Sequence, residues 1–320
     1  RVRWGMNPPT PWRMPSLPNP PPGAIIDYHL ANNAGGPVTL DIQTADGKLV
    51  RHYSSADPQK PLDPKKLDVP DWWPRPPMNL STQAGMHRFV WDMHWQPMPG
   101  ALQFLDANQA VKHDTPVMDS SPWVMPGNYT VKLTVNGKTY TQPLVVRMDP
   151  RVKTSTADLQ QQFDKSMQAY QEAMSASRAL GQVRDMEKQI AARKSSDKLA
   201  AYEKQLEALS GRKAGSLFEF FFHRGPPTFG SIGGDLQMLM VRMQGADQAP
   251  TAADLAALDK TGAELKSLMD RWEKLKGQPL AQLNHALQEN KQPPLVVAKA
   301  LAPLDWNAGW ITTNRDQEEQ

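Results

Sequence analysis

The sequence predicts an α+β multidomain protein, with an immunoglobulin-like β-sandwich followed by an antiparallel helical bundle. Three observations lead there. Proline is concentrated in the first half, 23 of 30 falling within residues 1–150. Proline removes a backbone donor and breaks helix interiors, so this half suits strands and loops and leaves long helices to the second. Before residue 150 apolar residues alternate singly in several segments, the period of a half-buried strand. After residue 155 they recur at three- and four-residue spacing, the period of a helix face.

Taken in order, residues 1–23 are too proline-rich to pack as helix or central strand and read as an extended arm or linker. The sandwich is expected over 24–150. "AIIDYHL" (24–30) opens it, and "VTLDIQT" (38–44) follows with Val38, Leu40 and Ile42 on one face. Ala45-Asp46-Gly47 turns the chain into "KLVRHYS", closing a hairpin. Residues 56–84 form a long proline-bearing loop around Trp72-Trp73. "GMHRFVWDMHW" (85–95) reads as one strand, with His87, Phe89, Trp91 and Met93 on one face and Arg88, Val90 and Asp92 on the other. "PGNYTVKLTVNGKTYTQPLVVRMDP" (126–150) reads as a hairpin turning at Asn136-Gly137, and the count reaches about six or seven strands.

The bundle is expected over 151–295. Ser155, three residues before Asp158, caps a helix whose stripe runs through Leu159, Phe163, Met167, Tyr170, Met174, Leu180, Val183, Met186 and Ile190. Leu199, Tyr202, Leu206 and Leu209 mark a second helix stopping at Gly211. "GSLFEFFFHRGPPTFGSIGG" (215–234) reads as loop or extended chain on its glycine content. Helical spacing returns over 235–245 and 251–277, where Thr251 with Asp254 repeats the capping pattern and Gly277 marks the stop. "PLAQLNHALQEN" adds a last short helix, and 296–320 is a C-terminal tail.

Composition narrows the function classes. A formal charge of +3, from 36 basic and 33 acidic residues interspersed along the chain, offers no electrostatic footprint for nucleic acid. No run approaches the roughly 20 apolar residues that span a bilayer. The absence of cysteine excludes disulfides, thiolate zinc sites and cysteine nucleophiles. The chain opens at Arg1 without a signal-peptide pattern and reads as a processed or partial product of something longer.

Catalytic motifs are missing: no G-x-S-x-G elbow, H-E-x-x-H pair, P-loop or G-x-G-x-x-G. No catalytic residue, metal ligand set or cofactor is assigned. Asp92-x-His94 could supply two metal ligands but has no third nearby, and His87 lies on the opposite face. Paired carboxylates for glycoside hydrolysis would have to come from Asp92, Asp106, Asp114 and Asp119, the only acids between 75 and 148. Trp72, Trp73, Trp95 and Trp123 are the candidate binding residues, since an exposed indole can stack on a sugar ring or anchor a protein interface. The competing account places Trp91 in the core and Trp72-Trp73 over a sheet edge. Met238, Met240 and Met243, with Phe218 and Phe220 to Phe222, suit either a binding groove or a core.

At "NPPPGAIIDYHL", "VTLDIQTADGKLVRHYSS", "GMHRFVWDMHW" and "PGNYTVKLTVNGKTYTQPLVVRMDPR" the chain resembles the C-terminal region of bacterial secreted proteins with a BNR (Asp-box) β-propeller of the sortilin type, often labelled glycosyl hydrolase or sialidase-like. The resemblance runs over most of residues 18–152 in the same order and continues to about 295, including "PPLVV". The propeller's repeat, Ser-x-Asp-x-Gly-x-Thr-Trp, occurs nowhere in the chain. The resemblance therefore implies a non-catalytic accessory module of a secreted or periplasmic protein, packing against a β-propeller domain or subunit. A glycan is a further expected partner, either as the substrate of a hydrolase whose acids are shared with the propeller or as a ligand of exposed tryptophans.

Overall fold

The computed structural model describes residues 21, 23–58, 78–98, 115, 119–193, 196–211 and 225–298. Among them are six strands, β1 (Ala24–Leu30), β2 (Thr39–Thr44), β3 (Leu49–Ser54), β4 (Gly85–Trp91), β5 (Gly127–Val135) and β6 (Lys138–Val146). Five helices follow: α1 (Thr156–Ala191), α2 (Asp197–Ser210), α3 (Phe229–Met243), α4 (Ala252–Lys276) and α5 (Gln278–Glu289). The protein is thus of mixed α and β class with two small sheets. It divides into two compact units, one holding the described residues up to Pro97 with 115, 119–163 and 244–249, the other Met98, 164–243 and 250–298.

In the first unit β1 pairs antiparallel with β4, from Ala24↔Trp91 to Leu30↔Gly85. The second sheet runs β3-β2-β5-β6, every pair antiparallel. Alternation decides what each strand buries. Tyr28 and Leu30, Leu40 and Ile42, Phe89 and Trp91, and Tyr129 and Val131 come from four strands of the two sheets and share one core. Gly23 leads into β1 where a Cβ would lie 2.1 Å from the Trp91 carbonyl oxygen, so only glycine fits that entry.

The hairpin at Asn136-Gly137 forms as expected. Both turn residues take positive φ, 50° and 76°, as a two-residue type I′ connection requires, and the Asn136 side chain also accepts a bond from the Gly35 amide at 2.9 Å. With this turn, Val135↔Lys138 is a hydrogen-bonded pair, and bonding alternates from there. Pro143, opposite Thr130, therefore stands where an amide would point away from β5. It deletes one outward donor from the exposed edge of the sheet, which protects that edge from pairing with another chain. Pro143→Thr restores that donor, and sedimentation at rising concentration is expected to show more self-association than the parent chain does; unchanged sedimentation would refute this role.

β4 corrects one expectation. The strand predicted over 85–95 ends at Trp91, because Met93 takes φ 59° and turns the chain. Phe89 and Trp91 are buried and His87, on the same face, is half-buried, its ring bonded to the Gln83 carbonyl at 2.7 Å.

α1 begins in the first unit, which holds it up to Phe163, and continues in the second; its cap is as expected, with the Asp158 amide donating to Ser155 Oγ at 3.1 Å. The buried face keeps Leu159, Leu180, Val183, Met186 and Ile190 of the predicted stripe and departs from it in the middle of the helix. Ala169, Ala173, Ala176 and Ala179 lie in the core beside Leu180, Val183, Met186 and Ile190, while Tyr170 and Met174 are only partly buried. Small residues allow close approach of neighbouring elements, which a search for large apolar side chains overlooks. α3 is a second correction: it begins at Phe229, inside the stretch predicted as loop. Thr228 and Ser231 cap it reciprocally, amide to hydroxyl, at 3.1 and 3.2 Å. Glycine costs a helix about 1 kcal/mol relative to alanine, and here burial of Phe229 and Ile232 on the same turn offsets that cost. At Gly230 a Cβ would meet the Ser210 carbonyl at 3.1 Å, so the glycine serves the packing. Met240 and Met243 are buried in the core, while Phe218 and Phe220 to Phe222 lie outside the described residues.

α4 opens with the full capping box of Thr251 and Asp254. Burial alone would raise the Asp254 carboxyl, but the Thr251 hydroxyl and amide and the Arg242 guanidinium outweigh it and hold it below the usual carboxylate range. α5 starts directly after Gly277 with proline in its first turn.

Candidate functional site

A buried polar cluster of the first unit lies where the chain leaves β4. Past Met93 it pairs on two sides. His94 and Trp123 form an antiparallel bridge, with the Trp95 amide bonded to the Pro122 carbonyl and the Val124 amide to the Met93 carbonyl, both at 2.9 Å. On the other side the Gln96 amide donates to the Val50 carbonyl at 2.9 Å, and the His52 amide to Gln96 Oε1 at 3.1 Å. Residues 94–96 are thus seated between the edge of β3 and residues 122–124.

His94 is the buried centre of this crossing. Its Nδ1–H donates to the Asp92 carbonyl at 2.9 Å, and its amide donates to Asp92 Oδ1 at 3.0 Å. Its Nε2 faces Asp119 Oδ2 at 3.3 Å, and its ring centroid lies 4.1 Å from that of Trp123. Burial alone would lower the His94 pKa, but the carboxylates of Asp119 and Asp92 and the Asp92 carbonyl outweigh it and raise it above the usual histidine value. Arg51 stands 3.9 Å from Asp92 Oδ2, donates to the Trp95 carbonyl at 3.1 Å, and lies 4.8 Å over the Tyr53 ring. The Tyr53 phenol is pushed well up, first by burial and then by Asp92.

The arrangement is an imidazole with an oxygen at each nitrogen, and protonation makes it a charged clasp between residues 92–96 and 119–124. It presents no activated nucleophile: the Ser121 hydroxyl donates to the Trp95 carbonyl at 2.7 Å. Asp119 joins Asp92 and His94, yet among the described residues no group of three histidine or acidic side chains is placed to hold a metal ion. Asp106, Asp114 and His113 lie outside the described residues.

The candidate tryptophans divide. Trp72 and Trp73 lie outside the described residues. Trp95 and Trp123 are half-buried and committed to contacts, Trp95 between Lys48, 4.9 Å over its ring, and Phe163 at 6.1 Å, and Trp123 against His94. The Trp123 amide also donates to Gln244 Oε1 at 2.6 Å. Trp91 is fully buried, in the core as the competing account required. Arg51 escaped sequence reasoning, and Asp119 was singled out only as a candidate acid and not as a partner of His94, since the two stand 43 and 25 residues from His94 and no spacing rule reaches that far.

The clasp carries a pH dependence whose sign follows from the raised His94 pKa. Its contribution is fully present below the unfolded histidine value near 6.5 and is lost as pH rises through the higher folded value. The melting temperature is expected to fall in the parent chain as pH rises from about 6.5 through the higher folded value, and Asp119→Asn should flatten that fall. An equally steep profile in the variant would show that His94 is not paired with Asp119.

Comparison with protein-family models, curated proteins and solved structures finds no match to this chain.

Proposed function

We propose that this chain is a non-catalytic accessory and interaction module of a secreted or periplasmic BNR, sortilin-type protein, an immunoglobulin-like sandwich followed by an antiparallel helical bundle that packs against a β-propeller. The observation that carries the non-catalytic part is the use made of the polar groups around His94. Asp92 caps the turn after β4 and faces Arg51, Arg51 and Ser121 bind one carbonyl, and His94 bridges two chain segments. Each of these groups is occupied in holding the β unit together. The two sheets sharing one core support the sandwich reading. The resemblance of residues 18–152 and onward supports the propeller as partner and the compartment.

The test is native mass spectrometry of the protein isolated from its source, with sequencing of every co-purifying chain. A propeller, covalently continuous or in fixed ratio, is expected; a chain that runs alone sinks the accessory role. Glycan turnover by the assembled protein, if any, should survive Asp92→Ala, and its loss in a folded variant would return the site to catalysis.

A further inference from the structure

After α5 the chain leaves regular secondary structure, and four side chains bond its backbone. Asn284 bonds Leu295 on both sides: its amide donates to the Leu295 carbonyl at 3.0 Å, and its Oδ1 accepts from the Leu295 amide at 2.7 Å. Gln189 treats Val296 the same way, at 2.8 and 3.0 Å. Gln182 Nε2 donates to the Ala298 carbonyl at 2.9 Å, and Arg193 Nη2 to the carbonyls of Pro293 and Pro294 at 3.2 and 3.3 Å. Trp272 Nε1 in turn holds Gln182 Oε1 at 3.2 Å. Paired amides that match donor and acceptor of one residue are the means by which an extended peptide is bound through its main chain. One side chain, Leu295, is fully sunk in the core, whereas Val296 is 61% exposed.

The joint before this segment is short and strained. Lys291 takes φ 56°, which a side chain with a Cβ rarely adopts, between the end of α5 at Glu289 and the first bonded carbonyl at Pro293. Strained, short hinges favour exchange of the segment they carry between copies, because an extended hinge relieves them while the segment keeps its own contacts; here opening costs the two cap bonds from the Lys291 amide to the Gln288 carbonyl and from the Gln292 amide to the Leu287 carbonyl, both at 2.9 Å. The only peptide whose fit is displayed is the chain's own, and a second copy supplies the same one.

We propose that Gln182, Gln189, Arg193 and Asn284 form a peptide-binding site, filled by residues 293–298 of the same chain, that takes the identical segment from a second copy in a reciprocal exchange. This holds whether or not a propeller is the partner.

Two full-length variants test it. Leu295→Ala weakens the segment and leaves the site, whereas Gln189→Ala with Asn284→Ala disables the site and leaves the segment. Neither seats its own segment well, but mixed they hold one good pair, available only between chains. Native mass spectrometry is expected to show a one-to-one heterodimer that neither forms alone. A mixture that stays monomeric while both variants keep their helical content overturns the proposal. Should either variant lose that content, a labelled peptide of residues 291–298 decides with the parent chain: saturable binding, weakened about tenfold or more by Gln189→Ala, supports exchange, and no saturable binding overturns it.

Discussion

Trp91→Ala is expected to lower the stability of the β unit by about 3–5 kcal/mol, the range for deleting a fully buried large aromatic side chain. Trp91 is completely enclosed, sits edge-on to Tyr129 with centroids 5.7 Å apart, and belongs to the core that both sheets share. Its Nε1–H donates to the His94 carbonyl at 3.1 Å, so truncation opens a cavity and also removes the donor from a carbonyl at the turn after β4. Trp91→Phe separates the two effects: it keeps most of the volume, and its cost is expected near about 1–2 kcal/mol. Denaturant unfolding followed through amide exchange of β1, β2 and β4 is the measurement. A loss under about 1 kcal/mol for Trp91→Ala would mean that the core closes over the gap, contrary to its packing.

Trp272→Ala is the counterpart in the helical unit, with a loss of about 3–5 kcal/mol expected. Trp272 is fully buried in α4, Lys276 Nζ lies 5.2 Å from its ring, and its indole holds Gln182, which holds Ala298. The substitution should therefore do more than empty a cavity. It should raise amide exchange in residues 295–298 ahead of the rest of the unit, because Gln182 loses the partner that orients it. Helical circular dichroism gives the global loss and amide exchange the local one. A uniform rise across all helices would show that the Trp272–Gln182 link does not position the terminal segment.

The difference between what was legible and what was not is physical. Strand and helix periods were read correctly wherever one face is apolar and the other polar, as in β2 and α4, because burial on a single side imprints its period on the chain. The turn at Asn136-Gly137 was equally legible, since positive φ at two successive positions selects those residue types. Reading failed where a third contact overrode the local pattern. Alternation continues through 85–95, but one residue, Met93, takes a left-handed conformation, and the strand stops. The glycines before Asp235 read as loop, yet the capped α3 starts at Phe229.

The candidate site was the least legible part. Asp92-x-His94 was visible as a pair of polar residues on one face, two metal ligands at most without a third, and no metal site was assigned to it. Its meaning came from Asp119 and Arg51, brought in by pairings of residues 94–96 with 122–124 and with β3. The tryptophans make the same point, for an indole has one composition whether it lines a ligand site or seals a seam. By itself the sequence determined the order of strands and helices, the caps, the hairpin turn and the absence of cysteine chemistry, all of which depend on residues within a few positions of one another. Only the tertiary structure decided which charges meet His94, that alanines form the middle of the buried face of α1 and what holds residues 293–298, because those contacts join positions tens of residues apart, where no local period carries information.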